Sequence, residues 1–468
     1  MRRLRQLAER TPATRERYVD LLRALAITMV VLGHWGVTVI GHDPTGRPTG
    51  HSALGDLPWV WPLTWLAQVM PVFFLVGGYA NAASLTARRA HGGNATGWLI
   101  DRSARLVRPT TALLVVLAVG AAVARLRGTD ATEIRTVVWF ATIPLWFLVA
   151  YLVVVPLTPP MYALHRRFGL AVPLVLVGLV ALGDLGRLLG PAGLATGNYL
   201  FGWLAVHQLG FAWYDTRSPD LPRRRRLPTS RRAALVLLAG GLLALVLSTV
   251  VGPYPVVMLN VPGERLDNAA PPSLALLAAA TTQLGLVLLL RDPATRWLRR
   301  SRPWQAVIAV NAVVLTVFLW HLTAAVLLVG LLDALGVLPT PRVGSAAWWA
   351  WRIPWLAALA VLLAALVAVF GPIEARSRRY APAGPGSGPG PGKTIGPGTA
   401  RPGGATGRRL RTGLAVAGYA GVVAGLLLNS LTRKAAPEPL GLPAPALVAY
   451  LAGAGVLRLL RSGWGSPG

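Results

Sequence analysis

The sequence predicts an all-α, polytopic membrane helix bundle: a ten-helix body, then a Pro/Gly linker and two weaker C-terminal transmembrane helices. Three observations carry this. Charged residues are 13% of the 468-residue chain and hydrophobic ones 54%, whereas a typical soluble domain is about 25% charged. Apolar runs near the ~20-residue length that crosses a bilayer recur along the chain. Arginine-dense connections alternate with arginine-poor ones, as the positive-inside rule expects of a chain that re-crosses a membrane.

The apolar spans fall at 19–40, 62–87, 109–126, 136–158, 168–190, 197–214, 232–252, 272–291, 304–332 and 347–371, with weaker ones at 412–430 and 442–460. They read as helices, because backbone exposed to lipid must satisfy its own hydrogen bonds and these runs are too long for barrel strands. Segments 1–17, 88–108, 159–167, 215–232, 292–303 and 372–411 hold clusters such as Arg88–Arg89, Arg166–Arg167, Arg223 to Arg226, Arg299–Arg300 and Arg376/Arg378/Arg379. The loops between hold most of the loop acids, including Asp43, Asp56, Glu264 and Asp267. The alternation predicts a multi-pass protein of the plasma membrane with a cytoplasmic N terminus. The domain division is therefore a basic cytoplasmic N terminus (1–18), a ten-helix membrane domain (19–371), a basic cytoplasmic linker (372–411) and a two-helix appendage (412–468).

Net charge is +29, from 46 basic and 17 acidic residues. In a soluble chain that would suggest nucleic acid; here it reads as basic cytoplasmic loops, and no nucleic-acid partner is expected. Arginine supplies almost all of it, with Lys393 and Lys434 the only lysines. With the Ala/Gly/Pro richness this suggests a GC-rich bacterial genome. No cysteine is present, which excludes disulfides, zinc–thiolate sites and a thiolate nucleophile. No metal-binding spacing such as HExxH, no GxSxG and no internal repeat stands out. In the linker, SGPGPGKT ends like a phosphate-binding loop, but Ser387 replaces the first glycine and no strand precedes it. Asn94–Ala95–Thr96 fits a glycosylation sequon in a loop expected to be cytoplasmic.

The first span, RYVDLLRALAITMVVLGHWG (17–36), carries the polar residues that matter most. Arg23 and His34 are eleven positions apart, so they share one helix face roughly 16 Å apart along the axis. Asp20, one turn before Arg23, can pair with it. Arg23 alone could be a snorkelling juxtamembrane arginine. His34 is too deep for that, and is either a hydrogen-bonded core histidine or a functional one. Deeper in the chain, Asn198, His207 and Gln208 lie in the sixth span, with His207 read as a core histidine rather than a catalytic one. Asn311 and His321, ten residues apart in the ninth span, point to similar faces.

The first span resembles the first helix of the membrane acyltransferase-3 family of integral-membrane O-acyltransferases, whose signature is an arginine and a histidine separated by ten residues, with an acid before the arginine. QVMPVFFLVGGYANAASL (68–85) resembles the family's second helix, RSARLVRP (102–109) its entry to the third, and LWFLVAYL (145–152) and FLWHLTAAVL (318–327) later helices. The likeness covers residues 15–371 and omits the last two helices. One departure stands out: relatives typically have serine where this chain has Gly77, beside Gly78 and Tyr79.

The resemblance implies transfer of an acyl group, acetyl or short-chain, from acyl-CoA as co-substrate to a hydroxyl of a glycan, lipid or glycosylated metabolite, with no bound cofactor or metal. A positioned imidazole can deprotonate the attacking hydroxyl, and His34, with an ordinary pKa of about 6.5, fits that role. Arg23 belongs at the donor site, where Arg105 and Arg108 can meet the donor's phosphates. Asp20, Gly78, Tyr79, His207 and His321 complete the candidate binding residues. His42 and His51 lie in the 41–61 loop, from which an acceptor could approach. With Gly77 and no cysteine, direct transfer is favoured over a covalent acyl-enzyme. The alternative reading is a proton-coupled transporter that uses the same intramembrane Arg, His and Asp residues.

Overall fold

The computed structural model describes residues 15–379 and 405–462, apart from 43, 45, 47, 262, 264 and 265. The chain before Arg15, the linker 381–404 with its SGPGPGKT stretch, Asp43 and Glu264 lie outside the described residues, as do the side chains of Arg376, Arg378 and Arg379. The helices are α1 (Arg17–Val37), α2 (Met70–Ala90), α3 (Ala95–Leu126), α4 (Ala131–Thr142), α5 (Leu145–Phe168), α6 (Ala171–Leu189) and α7 (Asn198–Asp215). They continue as α8 (Arg231–Val246), α9 (Leu274–Trp297), α10 (Ser301–Ala312), α11 (Val314–Ala334), α12 (Ala346–Arg379), α13 (Ala405–Leu431) and α14 (Ala444–Arg461). Among the described residues, 11 helical segments are long and apolar enough to cross a membrane. The chain is an all-α polytopic bundle, with one small addition: β1 (Thr38–His42) and β2 (Pro48–Ser52) form an antiparallel hairpin directly after α1.

Four local differences from the sequence expectation have physical causes. Helix α3 begins at Ala95, well before the expected span at 109, because Asn94 caps it by accepting from the Gly97 amide at 2.8 Å. The apparent sequon is thus a helix cap, and Arg105 and Arg108 are helical. The span expected over 136–158 is two helices, α4 and α5, parted at Pro144, which has no amide to donate. The span expected over 304–332 is also two, α10 and α11, parted at Val313. There Asn311 turns its side-chain amide onto the Val307 carbonyl at 2.9 Å, which competes with the backbone ladder. Helix α7 forms where expected but does not qualify as a membrane span by hydropathy. Its Asn198, His207 and Gln208 are instead buried in protein, beside Trp203, Phe211 and Trp213.

Contacts gather the chain into two compact units. The first contains residues up to Ala87 and Val153–Ala364; the second contains Arg88–Leu152 and Ala365 onward. In the first, α2 and α7 cross at Gly78 and Gly210. A Cβ on Gly78 would collide with the His207 carbonyl, and one on Gly210 with the Leu75 carbonyl. In the second, the C-terminal pair α13–α14 packs on α3, where Tyr450 donates to the Val107 carbonyl at 3.0 Å.

Arg135 on α4 holds that pair in place. It is fully buried and donates to the Asn429 side chain at 2.8 Å and to the carbonyls of Asn429 (2.9 Å), Thr432 (2.9 Å) and Gly441 (3.0 Å). Arg135→Leu strands those acceptors in a dry site. It is expected to destabilise the protein by about 3 kcal/mol, read as a lower thermal unfolding midpoint in detergent. Arg433→Ala, which removes an exposed side chain and leaves its backbone carbonyl in place, should leave the midpoint unchanged.

Candidate functional site

Helix α1 places its polar residues at its two ends. At the N-terminal end, Asp20 is buried and accepts from Arg15 Nε at 2.6 Å and from Arg23 Nη1 at 3.3 Å. The expected Asp20–Arg23 pair is therefore formed, and Arg15 is a further partner that lies before the helix. Neighbouring bonds anchor this end: Tyr18 Oη donates to the Val287 carbonyl at 2.7 Å, Arg17 to the Leu298 carbonyl at 2.9 Å, and Asn311 Nδ2 to the Asp20 carbonyl at 2.8 Å. Arg23 keeps 30% of its side chain exposed.

At the other end, His34 meets His321 of α11. Nδ1 of His34 lies 3.0 Å from Nε2 of His321, and the two rings are nearly parallel at 19°. Nδ1 of His321 lies 2.6 Å from the Phe318 carbonyl oxygen. That carbonyl can only accept, so Nδ1 of His321 carries the proton. In a neutral ring its Nε2 is then an acceptor, and Nδ1 of His34 must be the donor. The chain of bonds therefore leaves Nε2 of His34 with a free lone pair. His321 is fully buried, whereas His34 is half-buried, so the lone pair belongs to the accessible member of the pair.

The surrounding bonds fix this geometry. Trp35 Nε1 donates to the His321 carbonyl at 2.9 Å, and Trp355 Nε1 to the Trp35 carbonyl at 3.0 Å. Thr38 Oγ1 donates to the His34 carbonyl at 2.6 Å, and Arg352 reaches the Thr38 carbonyl at 2.8 Å while lying over the Trp348 ring. The sequence offered no signal for these partners, since a carbonyl acceptor has no residue signature. The aromatic run Trp348, Trp349, Trp351 and Trp355 was visible, but not which indole meets α1.

The remaining candidates sit elsewhere. His207 is a fully buried core histidine, 3.1 Å from the Asn81 amide nitrogen. Gly78 occupies the α2–α7 crossing, which accounts for the glycine without a ligand. Tyr79 packs edge-on against Trp213 and Tyr214. His42 pairs with Asp333 at 3.2 Å and His51 with Asp56 at 3.1 Å, so both loop histidines already have carboxylate partners. Arg105 and Arg108 lie on α3 in the second unit, Arg105 exposed and Arg108 half-buried. Asn311 and His321 do not share a helix face, because the break at Val313 separates them.

A family model described as an acyltransferase domain matches residues 16–373, more than half of the chain. No curated protein matches, and no solved structure matches.

Two measurements check the geometry itself. Nitrogen-15 NMR of histidine-labelled protein should find His34 and His321 both as Nδ1–H tautomers, with the His34 Nε2 signal in the unprotonated range. Gly78→Ala should cost about 1–3 kcal/mol by overpacking, read as a lower unfolding midpoint, because the crossing leaves no room for a methyl group.

Proposed function

The chain belongs to the acyltransferase-3 family, and on that premise we propose that it moves an acetyl or short acyl group from acyl-CoA to a hydroxyl of a glycan, lipid or glycosylated metabolite. It is an acyltransferase and a multi-pass membrane protein. The observation that carries the finer reading is the hydrogen-bonded chain from the Phe318 carbonyl through His321 to His34. It presents an oriented imidazole lone pair on the half-buried His34, which is what a general base for an alcohol requires.

In the proposed step, Nε2 of His34 takes the acceptor's hydroxyl proton as the oxygen attacks the thioester carbonyl. The imidazolium so formed keeps its Nδ1–H on Nε2 of His321, whose neutral ring stabilises the cation without adding a charge of its own. The tetrahedral intermediate collapses with cleavage of the C–S bond, and Nε2–H of His34 returns the proton to the departing sulfur. The products are the ester and CoA thiol, and the dyad is back in its starting tautomers. A chain without cysteine, and with Gly77 where relatives typically have serine, favours this direct transfer over an acyl-enzyme.

Arg23 is assigned to the donor. It carries a cation towards the end of α1 opposite His34, roughly 16 Å away along the axis. That separation suits a donor whose phosphates and reacting thioester are far apart. By the positive-inside rule the Arg23 end faces the cytoplasm, where acyl-CoA is made.

The test is acyl transfer from radiolabelled acetyl-CoA in membranes, with label followed into lipid, glycan and small-molecule fractions. His34→Ala should reduce transfer by about 10²–10⁴-fold, the range of a lost general base. His321→Phe, which keeps a ring but removes the acceptor nitrogen, should lower kcat while leaving the KM for acetyl-CoA nearly unchanged. Arg23→Gln should do the reverse and raise that KM. Full activity in His34→Ala would sink the assignment.

A further inference from the structure

The second unit holds a cavity of about 240 Å³ that the acyl-transfer reading does not use. That is far more than the ~10–15 Å³ that admits one water. Its walls come from the turn between α2 and α3 and from the first turns of α13. Arg88 and Arg411 line it with positive charge, and the hydroxyls of Thr96 and Thr412, 3.0 Å apart, line it with hydrogen-bonding groups.

The site is built around Arg88. Its Nη1 is held at 2.6 Å by Asp101, while Nη2 lies over Gly97 in the first turn of α3. A Cβ at Gly93 or Gly97 would strike this side chain, so the glycines are what allow the guanidinium to lie against the turn. Arg411 donates to the Leu460 carbonyl at 3.2 Å. Two guanidiniums and two threonine hydroxyls lining one cavity suit the tetrahedral oxygens of a phosphate.

Level in the membrane indicates which phosphate. The span Arg409–Leu431 begins at this cavity. An apolar segment thus gives way to polar chain beside Arg411, as it does at the level of phospholipid phosphates. Leu410, beside Arg411, is 64% exposed and offers an apolar surface to a lipid chain. We propose that this pocket binds the phosphate of an anionic phospholipid headgroup. Because α13 lies beyond residue 373, where the family match ends, its Gly407, Arg411 and Thr412 add lining that the matched domain does not contain.

Gly407 provides a clean test, since a Cβ there meets nothing within 4 Å. Native mass spectrometry of the full-length protein would compare phosphatidylglycerol with phosphatidylcholine. Wild type should prefer phosphatidylglycerol. Gly407→Glu, which puts a carboxylate into the pocket, should weaken that binding about tenfold, whereas the similarly sized Gly407→Gln should retain it. Arg88→Gln and Arg411→Gln should follow Gly407→Glu. Equal phosphatidylglycerol binding by wild type and Gly407→Glu, at matched unfolding midpoints, overturns the proposal. A second arm titrates inorganic phosphate into protein held in phosphatidylcholine nanodiscs. Phosphate binding that Gly407→Glu abolishes, without any lipid preference in the first arm, would make this a site for soluble phosphates and overturn the lipid assignment.

Discussion

The base proposed on α1 rests on one acceptor, the carbonyl oxygen of Phe318. Because it can only accept a hydrogen bond, it orders two imidazoles in sequence and points the last lone pair outward. A carboxylate could orient a histidine in the same way, but a buried anion carries a desolvation penalty of several kcal/mol. A carbonyl three residues earlier on the same helix brings no charge and no such penalty. The chain from Phe318 to His34 is neutral at rest, which suits a site among apolar helices. It acquires its one positive charge only when His34 takes a proton.

The break at Val313 is what allows that chain and the Asp20 cluster to exist together. Asn311, before the break, holds the Asp20 carbonyl near the start of α1; His321, after it, holds His34 near the end. A continuous helix would lock both contacts into one register. Two helices joined at Val313 let each end of α1 be positioned separately. Trp355 and Arg352 of α12 then secure the stretch after His34 through the carbonyls of Trp35 and Thr38.

What the sequence revealed follows from what local spacing can encode. Eleven residues on a helix place Arg23 and His34 on one face, and three residues place Asp20 beside Arg23; both are properties of a single helix and were readable. The His34–His321 contact joins positions 287 apart, which no periodicity records, although both histidines stood out as polar residues in apolar runs. The Asn311–His321 expectation failed because it assumed an unbroken helix, and the β-branched run around Val313 with an asparagine before it was the available warning. Gly78 looked like part of a binding motif beside Tyr79. Its reason is a second glycine, Gly210, on another helix, and such pairs are invisible until the helices cross.

Arginine far outnumbers the acids in this chain, so beside the guanidiniums paired with carboxylates, such as Arg225 with Asp215 and Arg291 with Glu16, others find oxygen elsewhere. They find it repeatedly at the C-terminal ends of helices. Arg17 donates to Leu298 at the end of α9, Arg352 to Thr38 at the end of α1, and Arg411 to Leu460 in the last turn of α14. Those carbonyls lack intrahelical partners and sit at the negative end of the helix dipole. One arginine therefore satisfies an orphan acceptor and gains a favourable field at once, with no buried anion required. Arg135 carries the same solution furthest, meeting several carbonyls around the end of α13. The excess of positive charge read from the composition as a matter of topology is thus also structural: arginine is the residue with which this bundle closes its helix ends.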